Sequence, residues 1–188
     1  MELAKYPLFS PPDALASRSH RDWTTTEAQR YFEWLMGCWE ARVLTVLDFL
    51  NVHRSDQMEP RDLLGQVGER AAQALRDPAC SQPGAGGTAM LTNIGYSLAA
   101  DIGLLTARQV CSAVGEKVRW EIVKRPRSDV SYNLPVLKGF GRDSYDPVGV
   151  SVADAVAVLS GRRSPDVWVK VFDSCVADAL KSTRPRRT

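Results

Sequence analysis

The sequence predicts a single, mostly helical α+β domain in which four or five helices pack around a two-stranded β-hairpin. Three observations carry that expectation. Apolar residues recur at three- and four-residue steps over several long stretches, which is the period of a half-buried helix. One short stretch instead alternates with period two between turn-rich segments. The composition is that of a globular chain: 188 residues, 44% hydrophobic, 24% charged, net charge +2. It is long enough for one core without staples and unlike a disordered, collagen-like or disulfide-scaffold chain. No apolar run reaches the roughly 20 residues of a bilayer span; the longest, residues 43–50, is interrupted by Thr45 and Asp48. The first ten residues hold Lys5 and Pro7 but no apolar signal core, so a cytoplasmic protein away from membranes is expected.

Residues 1–23, with Pro7, Pro11 and Pro12, show no sustained period and read as an extended arm whose Tyr6, Leu8 and Phe9 lie across the body. The domain proper spans 24–180. Thr24 with Glu27 forms a capping-box signature. Behind it Tyr31, Trp34, Leu35, Cys38, Trp39, Val43, Val46, Leu47 and Leu50 mark a first helix of about seven turns. Three aromatics at this spacing are read as core, not as a ligand box. Pro60 suits the first position of a second helix carrying Leu63, Leu64, Val67, Ala71 and Leu75, which Pro78 ends. Residues 77–88, rich in Gly and Pro, are expected to form a flexible surface loop without phosphate-loop spacing. A third helix over 92–113 is read from Ile94, Leu98, Ile102, Leu105 and Val110, with Gly115 as its stop and Gly95 and Gly103 as close-packing positions. Val118, Trp120 and Ile122 alternate as a strand, and Leu134, Val136 and Phe140 form its hairpin partner. Pro135 places that partner at an edge. Asp146–Pro147 caps a fourth helix closed by Gly161, and Ser164, Pro165 and Asp166 start a fifth that buries Val167, Trp168, Val171, Phe172, Cys175, Val176 and Leu180. Residues 181–188 are left as a basic, disordered tail.

The near-neutral total hides an uneven charge distribution. Residues 1–116 sum to −4, 117–142 to +5, 143–180 to −3 and 181–188 to +4. Lys117, Arg119, Lys124, Arg125, Arg127, Lys138 and Arg142 therefore form a candidate basic surface for an acidic partner. The nearby Trp120, Tyr132, Phe140 and Tyr145 have the chemistry to stack on single-stranded bases, but strand alternation more simply turns Trp120 and Phe140 into the core. Asp101 falls on the apolar stripe of the third helix, and burial there requires an ion pair or hydrogen bonds. Cys38, Cys80, Cys111 and Cys175 form no C-x-x-C pair and read as buried hydrophobes in a reducing compartment. His20 lies in the arm and His53 in a loop, far from each other and from any metal-ligand spacing. No nucleophile elbow, zinc-protease or dinucleotide motif occurs. Hence no catalytic residue, metal or cofactor is expected.

Four segments carry a resemblance: DWTTTEAQRYFEWLM (22–36), GYSLAADIG (95–103), VRWEIVKRPRSDVSYNLPVLKGFG (118–141) and DPVGVSVADAVAVLSGRR (146–163). In this succession the chain resembles small bacterial proteins built as helix, basic hairpin, helix, some of which are immunity partners of toxins. The resemblance implies a protein-binding role and transfers no functional residue. The expected function is thus a non-enzymatic interaction module of a bacterial cytoplasm, an immunity or defence-accessory protein being one instance. The alternative is nucleic-acid binding through residues 117–142 and the tail. A third possibility, a hydrolase-like site, requires Asp101, His20 and His53 to share one concave pocket.

Overall fold

A computed structural model describes residues 3–12, 15, 17–53, 55, 57–84, 88–141 and 143–182. Among them, five helices of three turns or more are α1 (Thr25–Phe49), α2 (Pro60–Ala74), α3 (Asn93–Val114), α4 (Pro147–Leu159) and α5 (Val167–Ser182). The strands are β1 (Ser81–Pro83), β2 (Ala89–Leu91), β3 (Arg119–Ile122), β4 (Pro135–Phe140) and β5 (Asp143–Tyr145). The mostly helical α+β class holds, with more sheet than the expected hairpin. β3, β4 and β5 form an antiparallel three-stranded sheet in that order, and β1 pairs with β2 in a separate ribbon.

Each helix starts where local chemistry dictates. Thr24 accepts the Glu27 backbone N–H while Glu27 returns to the Thr24 N–H at 2.7 Å, so the capping box is complete. Thr92 caps α3, Asp146 caps α4, and Pro60 and Pro147 occupy first-turn positions that need no N–H. α3 ends at Gly115, whose φ of 59° suits glycine.

Helix α3 is the centre of the molecule. Its residues are buried almost all round, from Gly95 through Val110 and Val114, and α1, α2, α4 and α5 all pack on it. Close approach is set by glycine: a Cβ on Gly103 would stand 2.1 Å from the Pro147 carbonyl oxygen, and one on Gly95 2.0 Å from that of Cys80. Polar links cross the same interfaces. Ser151 Oγ donates to the Ala99 carbonyl at 2.6 Å and accepts from Trp168 Nε1 at 2.9 Å, tying α4 and α5 to α3. Trp39 Nε1 of α1 donates to the Leu104 carbonyl at 3.0 Å.

Several expectations are corrected. Pro135 begins the central strand β4, not an edge; as its first residue it still costs the ladder little. Within 77–88, the chain turns back through hydrogen bonds of Cys80 and Ser81 to Asp77 and then forms β1, because Thr92, the α3 cap, also donates from its backbone N–H to the Cys80 carbonyl at 2.9 Å and anchors the returning strand. The arm includes 3₁₀ turns at Leu3–Lys5 and His20–Asp22, and it buries Tyr6 and Phe9 while Leu8 stays half-exposed. Leu180 is 48% exposed and Ala179 takes the buried position on α5. Cys80 is buried, whereas Cys38, Cys111 and Cys175 are half-buried. Lys181 and Ser182 continue α5, and Ser182 Oγ donates to the Gly139 carbonyl at 2.8 Å; the remainder of the tail lies outside the described residues.

Candidate functional site

The connection from β3 to β4 is a folded loop. The Val123 N–H donates to the Leu134 carbonyl at 3.1 Å, and the Asn133 N–H returns to the Val123 carbonyl at 2.7 Å, closing the loop at its base. Inside it, Asp129 Oδ1 accepts the Ser131 N–H at 2.8 Å, a side chain holding its own turn. Asn133 adopts φ 65°, which asparagine tolerates. Its Nδ2 donates to the carbonyls of His20 and Trp23, each at 2.9 Å, and His20 Nδ1–H donates to the Tyr132 carbonyl at 2.7 Å. The arm therefore clamps the loop in one shape.

On that frame Lys124, Arg125 and Arg127 are exposed, and Val130 at the tip is 75% exposed. At the other end of β3, Lys117 and Arg119 are exposed and Arg119 stands directly opposite the half-buried Lys138. Arg119 and Lys124 are five residue steps apart, about 16 Å at strand rise. The structure thus gathers the predicted cations into two groups along one edge strand. Arg142 lies outside the described residues. Arg119 is offset by Glu121 at 2.5 Å. Among the described residues, no acid forms an ion pair with Lys117, Lys124, Arg125 or Arg127.

The aromatics next to these cations are turned away from solvent. Phe140 and Tyr145 are buried. Trp120 is half-buried, packs edge-on against Trp39 with ring centres 5.3 Å apart, and keeps its Nε1 buried without an acceptor. Tyr132, beside the loop, is half-buried like Trp120.

Asp101 is fully buried and paired, as its place on the α3 stripe required. The Arg42 guanidinium grips it with Nε to Oδ1 and Nη2 to Oδ2, both 2.7 Å, and Tyr6 donates its hydroxyl to Oδ2 at 2.5 Å. Arg42 also donates to the Pro7 and Leu8 carbonyls at 3.1 and 3.0 Å, so this acid fastens the arm to the core. Burial pushes the Asp101 carboxyl up to about 6, against the opposing pull of Arg42 and Tyr6.

Asp101, His20 and His53 do not converge. His20 lines a cavity of about 480 Å³ beneath the arm, Asp101 does not border it, and His53 is exposed beyond the end of α1. What the cavity does contain, and sequence reading missed, is the α4 cap Asp146 among aromatic rings. Its only sequence signal was a capping pattern. Burial raises the Cys80, Cys111 and Cys175 thiols to about 11, 11 and 12, which keeps them protonated and poorly nucleophilic. Among the described residues no three His, Cys, Asp or Glu side chains are grouped to hold a metal, and no helix is long and apolar enough to cross a membrane. Compared with protein-family models, curated proteins and solved structures, the chain matches none.

Proposed function

We propose that this chain is a non-enzymatic binding protein of the bacterial cytoplasm that engages an acidic protein partner through the β3 edge and the loop at residues 123–134. The observation that carries the reading is the loop: Lys124, Arg125 and Arg127, with no ion-pair acid among the described residues, share with the exposed Val130 a frame hydrogen-bonded at its base and to the arm. Some exposed cations elsewhere have acids beside them, as in Arg61–Asp173 and Lys170–Asp166, while Arg21, Arg30 and Arg76 stand singly rather than grouped on one loop. An exposed apolar anchor on the same loop as several cations suits a protein surface, where the anchor supplies affinity and the charges speed encounter and fix register. A loop already held in one shape loses less entropy on binding. The inward turn of Trp120, Phe140 and Tyr145 removes most of the stacking platform that single-stranded nucleic acid would use. An immunity-type role, in which the partner is a toxin with an acidic face, fits the resemblance in the four quoted segments.

The test is affinity capture from lysate of the native host with nuclease present, using the wild-type chain and a loop variant carrying Lys124→Glu, Arg127→Glu and Val130→Asp. A nuclease-resistant protein retained by the wild type and lost by the folded variant is the expected result. Recovery of nucleic acid without nuclease, with binding that falls steeply in salt, would replace this reading with the nucleic-acid one. Equal capture by both chains would place the binding surface elsewhere.

A further inference from the structure

The cavity beneath the arm has a chemistry that the basic loop does not explain. Phe9, Trp23, Tyr31 and Tyr96 contribute aromatic rings to it, and among the described residues Asp146 is the acid that lines it. The rings are set by the core: Phe9, Trp23 and Tyr31 are each more than nine-tenths buried. Trp23 and Tyr31 stand 5.0 Å apart at a tilt, and Phe9 meets Tyr96 edge-on at 6.2 Å. Asp146 Oδ1 accepts the Gly149 N–H at 3.0 Å as the cap of α4, and no Lys or Arg forms an ion pair with it among the described residues.

The carboxylate acts on the rings around it. Burial pushes the Tyr31 and Tyr96 phenols up, and the Asp146 charge pushes both further. The cations at the cavity are otherwise engaged. Arg18 is bound to Glu27 Oε1 and to the Asp22 carbonyl, both at 2.7 Å. His20 holds the Tyr132 carbonyl through Nδ1–H, although its ring lies close enough to Asp146 to favour the carboxylate.

We propose that this cavity is a binding site for a small organic ammonium ion, whose charge rests against Asp146 and whose carbon skeleton lies among Phe9, Trp23, Tyr31 and Tyr96. Aromatic faces carry negative potential and attract desolvated cations, and a carboxylate without an ion pair supplies the counter-charge. The volume of about 480 Å³ is that of a small-molecule site. An organic anion is the less suited occupant, because Glu27 already offsets Arg18 and Asp146 repels negative charge. The proposal does not rest on the loop binding a protein, although Leu134 at the loop's base lines the cavity and the Ser131 side chain hydrogen-bonds Asp146.

The experiment is calorimetric titration of the full chain with phenethylammonium and with its isosteres phenethyl alcohol and phenylacetate. Saturable binding of the ammonium, with both isosteres about tenfold or more weaker, is expected. Asp146→Asn keeps a good helix cap while removing the charge, and in that variant the preference for the ammonium should disappear. Phenylacetate binding as tightly as the ammonium would assign the site to anions through Arg18 and His20 and overturn the proposal. Absence of saturable ammonium binding to the wild type, or an unchanged affinity in folded Asp146→Asn, overturns it equally.

Discussion

Among single residues, Asp101 has the largest consequences. Its carboxylate is fully buried, and Arg42 and Tyr6 are the groups that make burial tolerable. Removing one partner strands the others: Arg42→Leu leaves an unpaired buried charge, for which a loss of about 3–5 kcal/mol is expected in urea unfolding. Tyr6→Phe removes one donor and should cost about 1–3 kcal/mol. The pH dependence follows from the raised carboxyl, about 6 in the fold against an ordinary aspartate value of 3.8. A carboxyl that holds its proton more tightly when folded contributes stability below its unfolded value and loses it as pH rises through the folded one. The wild type should therefore lose about 2 kcal/mol relative to Asp101→Asn between pH 4 and 6. A difference curve that is flat or rises across that window would show that the ion pair, not desolvation, dominates. The sequence exposed this acid because a charge on an apolar helical stripe demands partners. It did not expose the partners, which come from the arm and α1 and meet α3 only in the folded chain.

Element-scale stability depends on how closely the helices approach. α4 crosses α3 where Gly103 meets the Pro147 carbonyl, and α5 begins where a Cβ on Gly68 of α2 would stand 2.1 Å from the Pro165 carbonyl. Backbone cannot yield as a side-chain tip does, so Gly103→Ala should cost about 1–3 kcal/mol or more by urea unfolding. Gly37 is the control: it sits within α1 with nothing inside 4 Å of an added Cβ, so Gly37→Ala should stabilise by roughly 0.5–1 kcal/mol. Equal effects at the two positions would show that helix propensity, not packing, governs both. Elements were the most readable level of this chain. Capping boxes, first-turn prolines and stop glycines are local chemistry, and they placed the five helices. The strands were read less fully: β5 spans only Asp143–Tyr145 and β1 only Ser81–Pro83, too short for any alternation to register. Both exist through pairing with a neighbour, β5 on β4 and β1 on β2.

For the whole molecule, the question is whether the arm belongs to the cooperative unit. The two candidate sites both depend on it: the loop at 123–134 is bound to the arm at His20 and Trp23, and the cavity takes Phe9 and Trp23 as walls. The cations of the loop site were legible in the sequence, but the fixed shape of the loop and the acid in the cavity were not, because proline-rich, aperiodic residues give no sign of what they cover. The arm also reaches the centre of the fold. The Phe9 N–H donates to Ser97 Oγ of α3 at 2.8 Å, Phe9 packs edge-on to Trp34 of α1 at 5.1 Å, and its ring lies 5.4 Å from the Arg42 guanidinium carbon. If the arm folds with the core, Phe9→Ala should lower global stability by about 3–5 kcal/mol. Amide protons along α3 should then lose hydrogen-exchange protection by the same amount, since opening the arm and opening the core are one event. If the arm is a peripheral strap, exchange should quicken only before residue 24 while α3 keeps its wild-type protection. That second pattern would also mean that the loop and cavity can be released from the arm without unfolding, so that occupancy of either site depends on arm position.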